Sequence, residues 1–235
     1  MKRRSIMYTS FDNKERFPLF NRLRDDHEVK VYIGEQNKSM KALHYTEHSF
    51  AHVGLVAYRT ADILSALGMD DHTVDLAMSA AWLHDIGNIV NRSEHSQSGA
   101  IMAFHILSRM GVPAEDIAPI ICAIGNHDEG NGVPVSDIAA AVILADKSDV
   151  RRNRVQEDDL EHFDIHDRVN YSVTESALRV DSSKMTITLE LSIDNHYSEI
   201  GEYFQIFMPR MLLCKSAAEH LKLDFDLYIN GQKLM

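Results

Sequence analysis

His84-Asp85 is the pair around which any chemistry in this chain would be organised. It closes an apolar run, Leu76-Ala77-Met78-Ser79-Ala80-Ala81-Trp82-Leu83, and Ile86-Gly87 follows it. An imidazole beside a carboxylate, at the end of a segment that must be buried, can grip a divalent cation. Imidazole suits Fe, Mn, Co and Zn, and carboxylate oxygens shift the preference toward Mn, Fe or Mg. One such pair is a weak signal, but here it has company. His48 and His52, four residues apart, share a helix face upstream. His95, His127 and Asp146 follow downstream.

Asp146 is the sharpest anomaly. It ends the apolar stretch Ala139-Ala140-Ala141-Val142-Ile143-Leu144-Ala145, where a carboxylate is costly unless paired or bound to a metal. Lys147 is adjacent and is expected to point to another helix face, so it reads as a poor partner. His95 opens a helix, and Gly99 one turn later allows another backbone to come close. His127 stands at a polar helix end, Gly125-Asn126-His127-Asp128-Glu129. Added to the other four, these two histidines are what a second metal ion would need. A basic group, Lys147, Arg151, Arg152 and Arg154 with Arg92, is expected to hold phosphate by charge-assisted hydrogen bonds.

The elements that must position these residues are helical. Val29, Ile33, Met40 and Leu43 trace an apolar stripe. Thr46 is expected to cap a helix reaching Leu67 and ended by Gly68. Asp70 or Asp71 opens the next, which ends near His84. Further helices are expected from Ser93 or Glu94 to Gly111, from Pro113 to Gly125, and from Ser136 past Asp146. Residues 1–27 read as irregular, with Pro18 as a breaker. Residues 1–40 are thus expected to form an N-terminal segment and residues 41–155 a helical domain. From 156 to 235 an α+β appendage is expected. Its signals are the alternation Met185–Ile193, a helix over 197–222 kinked at Pro209, a strand Phe225–Ile229 and the turn Asn230-Gly231.

Composition excludes several classes. The 235 residues carry a net charge of -11, which argues against general nucleic-acid binding. No uncharged run is long enough to span a membrane, and no signal core follows Met1-Lys2-Arg3-Arg4, so a cytoplasmic protein is expected. Cys122 and Cys214 lie in apolar helical patterns and read as buried free thiols.

The order His52, His84-Asp85, Asp146 resembles the HD-domain metal-dependent phosphohydrolase superfamily. The segments His95 to Ala100 and Ala145 to Arg151 are similar to those of the bacterial diadenosine tetraphosphate hydrolases. Asn126-His127-Asp128-Glu129 and Gly130-Asn131-Gly132-Val133-Pro134 resemble the corresponding region of the HD-GYP cyclic di-GMP phosphodiesterases. There, Asn126 takes the place of a histidine and Val133 that of a tyrosine. The resemblance covers residues 41–155 and implies a mostly α fold, an HD-type helical bundle. It implies a first ion on His52, His84, Asp85 and Asp146, and a second on Asp85, His95 and His127. His48 would stand at the periphery. His84 and Asp85 would carry catalysis by metal-activated water, on a soluble phosphorylated nucleotide or dinucleotide. Two other readings compete: a catalytically silent sensor or scaffold with a structural metal, and a cyclic dinucleotide phosphodiesterase. A homodimer is compatible with all of them.

Overall fold

Helix starts in this chain are set by short side chains that accept a first-turn N–H. Asp26 accepts from Val29, Ser49 from Ala51, Asp70 from Thr73, Ser136 from Ala139 and Asp164 from Asp167. The computed structural model describes residues 13–157 and 160–235. The N-terminal Met1-Lys2-Arg3-Arg4 and the Asp158-Asp159 part of the acidic stretch lie outside the described residues. Among the described residues the helices are α1 (Pro18–Asp25), α2 (His27–Ala42), α3 (Phe50–Ala66), α4 (Asp71–Leu83), α5 (His95–Arg109), α6 (Ala114–Gly125), α7 (Asp137–Lys147), α8 (Ile165–Ser172) and α9 (Ile200–His220). A short 3-10 helix, Ile86–Ile89, follows α4. Strands β1 (Val173–Asp181), β2 (Thr186–Ile193), β3 (Asp224–Ile229) and β4 (Gln232–Lys233) form one sheet in the order β1-β2-β3-β4. The fold is therefore mostly α, with a small α+β part at the C-terminal end.

The sheet joins two antiparallel pairs through a parallel one. β1 pairs with β2 and β3 with β4 antiparallel, while β2 and β3 run parallel, joined by the crossover helix α9. The alternation in β2 buries Ile187, Leu189, Leu191 and Ile193. β3 does the same with Phe225, Leu227 and Ile229. α9 packs against both β3 and α7. Its buried residues Tyr203, Phe207, Met211, Cys214 and Ala217 belong to the same hydrophobic cluster as the inner sheet residues. That cluster is continuous from Phe17 and Phe20 through α3, α4, α6 and α7 to the sheet. α7 lies at its middle, with every residue from Ile138 to Lys147 buried.

Several expectations are corrected. Pro18 does not break structure; it is the first residue of α1, where the missing N–H costs nothing. The next amides, of Leu19 and Phe20, donate to the buried carboxylate of Asp75 on α4 at 2.9 and 2.8 Å. The helix is thus capped by a side chain more than fifty positions away in the chain, a signal that local sequence does not carry. Ser49, not Thr46, caps α3. α7 stops at Lys147, with Ser148 Oγ donating back to Ala145 O, and the chain is extended at Arg151. Helix α8 and strand β1 are elements that the sequence reading did not anticipate. Cys122 is half-buried rather than buried, Cys214 is buried, and both are free.

Candidate metal centre

Five histidines converge, each held by its Nδ1. His84 Nδ1 donates to Ala81 O at 2.7 Å and His127 Nδ1 to Ile124 O at 2.7 Å. Both acceptors sit three residues back, in the last turn of α4 or α6, where helix carbonyls lack intrahelical partners. His95 Nδ1 meets Arg92 O at 3.1 Å, and His48 Nδ1 meets Thr46 O at 2.6 Å. His52, in the first turn of α3, reaches a side chain instead: its Nδ1 donates to Asp149 Oδ2 at 2.7 Å. A carbonyl or carboxylate at Nδ1 keeps the proton there and turns the Nε2 lone pair toward the interior.

The Nε2 atoms gather on the two oxygens of Asp85. Oδ2 lies 3.3 Å from His52 Nε2, 3.2 Å from His84 Nε2 and 3.9 Å from His48 Nε2. Oδ1 lies 3.5 Å from His95 Nε2 and 3.8 Å from His127 Nε2. Asp146 Oδ1 completes the first set, 3.3 Å from His52 Nε2 and 3.6 Å from His84 Nε2. His95 Nε2 and His127 Nε2 stand 3.1 Å apart. Every residue of both sets is buried. Asn88 Nδ2 donates to Asp85 Oδ1 at 2.9 Å and fixes the carboxylate's rotation.

The donor set fits a divalent cation. His52 Nε2, His84 Nε2 and Asp85 Oδ2 are buried and have no hydrogen-bond partner. Lone pairs facing one another in a water-poor interior are costly unless something positive lies among them. Donor atoms a little over 3 Å apart are also what metal–ligand arms of about 2.0–2.2 Å produce around one ion. Three groups of donors meet the spacing for an ion: His52, His84 and Asp85; His84, His127 and Asp146; and Asp85, His95 and His127. The middle group straddles the two sets, so the sites share a wall.

Electrostatics points the same way. Burial would push the Asp85 carboxyl up, but the charge of His84 and the other histidines holds it well below the usual range. Asp146 is held low against burial by Lys147, His52 and His84. Burial lowers the His84 imidazole, yet Asp85 and Asp146 outweigh it and raise it to about 10. His52 is raised as well, Asp146, Asp149 and Asp85 prevailing over burial and Arg154. The centre therefore demands positive charge: a proton on His84 answers that demand, and a cation displaces the proton. His48 and His95 behave differently. Burial lowers both, His95 to about 4, with the neighbouring His127 adding to the effect.

Close backbone packing sets the separation of the two donor sets. A side chain at Gly87 would run into the carbonyl of His95 and come within 2.5 Å of the amide of Gly99. The turn after Asp85 can therefore lie directly on the first turn of α5, which brings His95 to Asp85. Gly99 is in its turn 3.3 Å, measured from where its Cβ would stand, from the amide of Gly87.

The basic residues are not brought together as expected. Lys147, read as a poor partner for Asp146, is its ion-pair partner: Nζ lies 2.8 Å from Asp146 Oδ2 and 2.6 Å from Glu129 Oε2, fully enclosed. A long, flexible stem can bring the ammonium to the carboxylate of the preceding residue, which spacing arguments for rigid side chains miss. Arg154 is buried and donates to Glu47 O and Asp149 O. Arg152 stacks on Tyr171 and Tyr197 and donates to Tyr171 O. Arg151 pairs with Asp149 through Nε at 2.5 Å and stays part-exposed. The chain turns away after Lys147, so these arginines do not form one cationic patch. Arg92 alone of the five lies beside the second set, 3.2 Å from His95 Nε2 and within 4.0 Å of Asp128 Oδ1.

Sequence reasoning missed Asp149. It is buried, its carboxyl is held well below the ordinary range against burial by His52, Arg154 and Arg151, and it anchors the one histidine of the five whose Nδ1 meets no main-chain carbonyl. The available signal was a second aspartate three positions after Asp146, in reach of the same helix end.

No helix among the described residues is long and apolar enough to cross a membrane. No curated protein matches the chain. Residues 49–162, which supply every donor of both sets around Asp85, match the family model described as HD domain, and this part of the chain is an HD domain.

Proposed function

We propose that the protein is a metal-dependent phosphohydrolase acting on a phosphorylated nucleotide or dinucleotide. The observation that carries the reading is the set of orphaned donors, His52 Nε2, His84 Nε2 and Asp85 Oδ2, converging on one point. Proteins with an HD domain bind divalent metals. In this chain His52, His84, Asp146 and Asp85 Oδ2 would hold one ion; His95, His127 and Asp85 Oδ1 would hold another. His48 stands at the edge of the first. Bound divalent cations would supply hydroxide from water at neutral pH and neutralise charge on phosphoryl oxygens.

The protein's own residues do the rest. Asp85 bridges the two donor sets and fixes their separation, with Asn88 holding its rotation. Asp149 and the carbonyls of Ala81, Ile124 and Arg92 keep each imidazole in the tautomer that presents Nε2. Lys147 covers the outer oxygen of Asp146 and leaves Oδ1 for the centre. The Arg92 guanidinium sits at the second set with hydrogen bonds of 3.2 and 3.3 Å, well placed to take a phosphate oxygen. Tyr45, whose ring lies 5.8 Å from its guanidinium, is exposed beside it and offers an aromatic face to a base.

The test is direct. Protein expressed without added metal is analysed for bound ions. It is then screened for phosphate release across nucleoside mono-, di- and triphosphates, dinucleoside polyphosphates and cyclic dinucleotides, with Mn, Fe, Co, Zn and Mg. Release that disappears in His84→Ala and Asp85→Ala supports the reading. Metal bound in full with no hydrolysis of any phosphorylated compound refutes it, in favour of a scaffold with a structural ion.

A further inference from the structure

An alternating chain of charges runs from the metal centre into the C-terminal helix. Asp146 Oδ2 pairs with Lys147 Nζ at 2.8 Å, Lys147 Nζ with Glu129 Oε2 at 2.6 Å, and Glu129 Oε1 with Arg210 Nε at 2.9 Å. Glu129 is two residues beyond His127, on the loop leaving α6. One carboxylate thus touches the loop of the second donor set, the lysine of the first, and an arginine from α9. Arg210 lies outside residues 49–162, the part of the chain that is an HD domain.

The links are well made. Lys147 is 4% exposed, and Arg210 packs its guanidinium on the ring of Phe207, 4.6 Å from the centroid. Burial should push the Glu129 carboxyl up, but Lys147 and Arg210 hold it far below its ordinary range. The Lys147 ammonium is raised in turn, Asp146 and Glu129 prevailing over burial. Removing Asp146 leaves the buried Lys147 short of a partner, removing Arg210 leaves the half-buried Glu129 short of one, and such charges move to recover one. If Glu129 lost Arg210, Lys147 would be drawn toward it and away from Asp146 Oδ2. Asp146 would then be free to turn its Oδ1 away from His52 and His84.

We infer that Arg210 is a positioning residue for the metal centre, acting through Glu129 and Lys147 on Asp146, and that α9 is therefore part of the working site. The inference rests on the metal-centre reading above. Its consequence is that the HD segment alone does not hold its first ion with full affinity.

The experiment uses the full chain as Arg210→Met, which keeps the stem against Phe207, and as Arg210→Lys, which keeps the charge. The control is Arg168→Met, which removes the ion pair of Arg168 with Glu202, 2.9 Å long and on the same C-terminal part. Mn and Co are titrated calorimetrically into chelator-stripped protein, with circular dichroism to confirm folding. Arg210→Met should raise the dissociation constant of one ion about 10-fold or more, the range for residues that orient metal ligands. Arg210→Lys should recover most of this, and Arg168→Met should not differ from wild type. Activity of Arg210→Met, if hydrolysis has been found, should return at saturating metal with KM unchanged. Wild-type affinity in folded Arg210→Met overturns the inference while the metal centre stands. A wild-type protein that binds no metal overturns both. Should Arg210→Met not fold, equal affinity of Arg210→Lys and Arg210→Gln to wild type overturns it, and loss in Gln with retention in Lys sustains it.

Discussion

Asp149→Asn isolates the anchor of His52, the histidine whose Nδ1 meets a carboxylate in place of a main-chain carbonyl. In the native protein the carboxylate accepts from His52 Nδ1 at 2.7 Å and pairs with Arg151, while its main-chain oxygen takes the buried Arg154. The amide keeps the volume and can still offer an oxygen to Nδ1, so what goes is the charge assistance to one hydrogen bond. Hydrogen bonds to charged groups contribute about 1.5–3 kcal/mol, and about 1.4 kcal/mol is tenfold in affinity. The expected loss is therefore roughly 10- to 100-fold in metal affinity, confined to the ion held by His52, with the fold intact. Asp149→Ala goes further: it leaves Arg151 and Arg154 without their carboxylate and should also cost about 3–5 kcal/mol of stability. Titration of Mn or Co into chelator-stripped protein reads the first quantity, and thermal unfolding followed by circular dichroism reads the second. Wild-type dissociation constants in both variants would sink the argument that Asp149 orients a ligand, whatever happened to stability.

Other outcomes follow from the same geometry. His95→Ala and His127→Ala should each lose one ion per chain, and His52→Ala the other, while Asp85→Asn weakens both; metal analysis showing all-or-none loss in every variant would instead mean a single site. Gly87→Ala should cost about 1–3 kcal/mol by overpacking and lower metal content, because the carbonyl of His95 and the amide of Gly99 leave no room; an unchanged melting temperature and full metal content would show that the turn does not set the distance. Metal affinity should climb with pH, since the His84 imidazole is held up to about 10 without an ion and must give up its proton to ligate. One displaced proton gives about tenfold per pH unit, and a flat profile from pH 6.5 to 9 would refute the assignment. The sign for stability is opposite in the metal-free protein: the His84 contribution is complete below its ordinary value of 6.5 and fades as pH rises toward about 10.

What was legible in the sequence was whatever is encoded over short distances. The apolar stripe of α2, the stop at Gly68 with its φ of +78°, the alternation of β2 and the Asn230-Gly231 turn all state themselves in neighbouring residues. So did the donors around Asp85, because an acid or imidazole inside an apolar helix has few explanations. α1 was not legible because its cap, Asp75, comes from another helix. β1 escaped because it lies at the sheet edge paired only to β2, and its side chains are mostly part-exposed without alternation. The arginines were misplaced because a helix was carried past Lys147, and their positions depend on where the chain turns. Asp149 and Arg210 act through contacts 97 and 81 positions away, which no local pattern announces.

The carbonyls that anchor His84 and His127 belong to the final turns of α4 and α6. Fraying of such a turn and loss of a ligand are consequently one event. If Ala81 O or Ile124 O swings out to water, the imidazole is free to carry its proton on Nε2, and its lone pair is then on Nδ1, facing away from the centre. An ion in the centre would then act as a splint across the two helix ends. Amide exchange in those last turns should slow when metal is added and quicken when it is chelated. The domain's slowest breathing motions would be set by how much metal its surroundings hold.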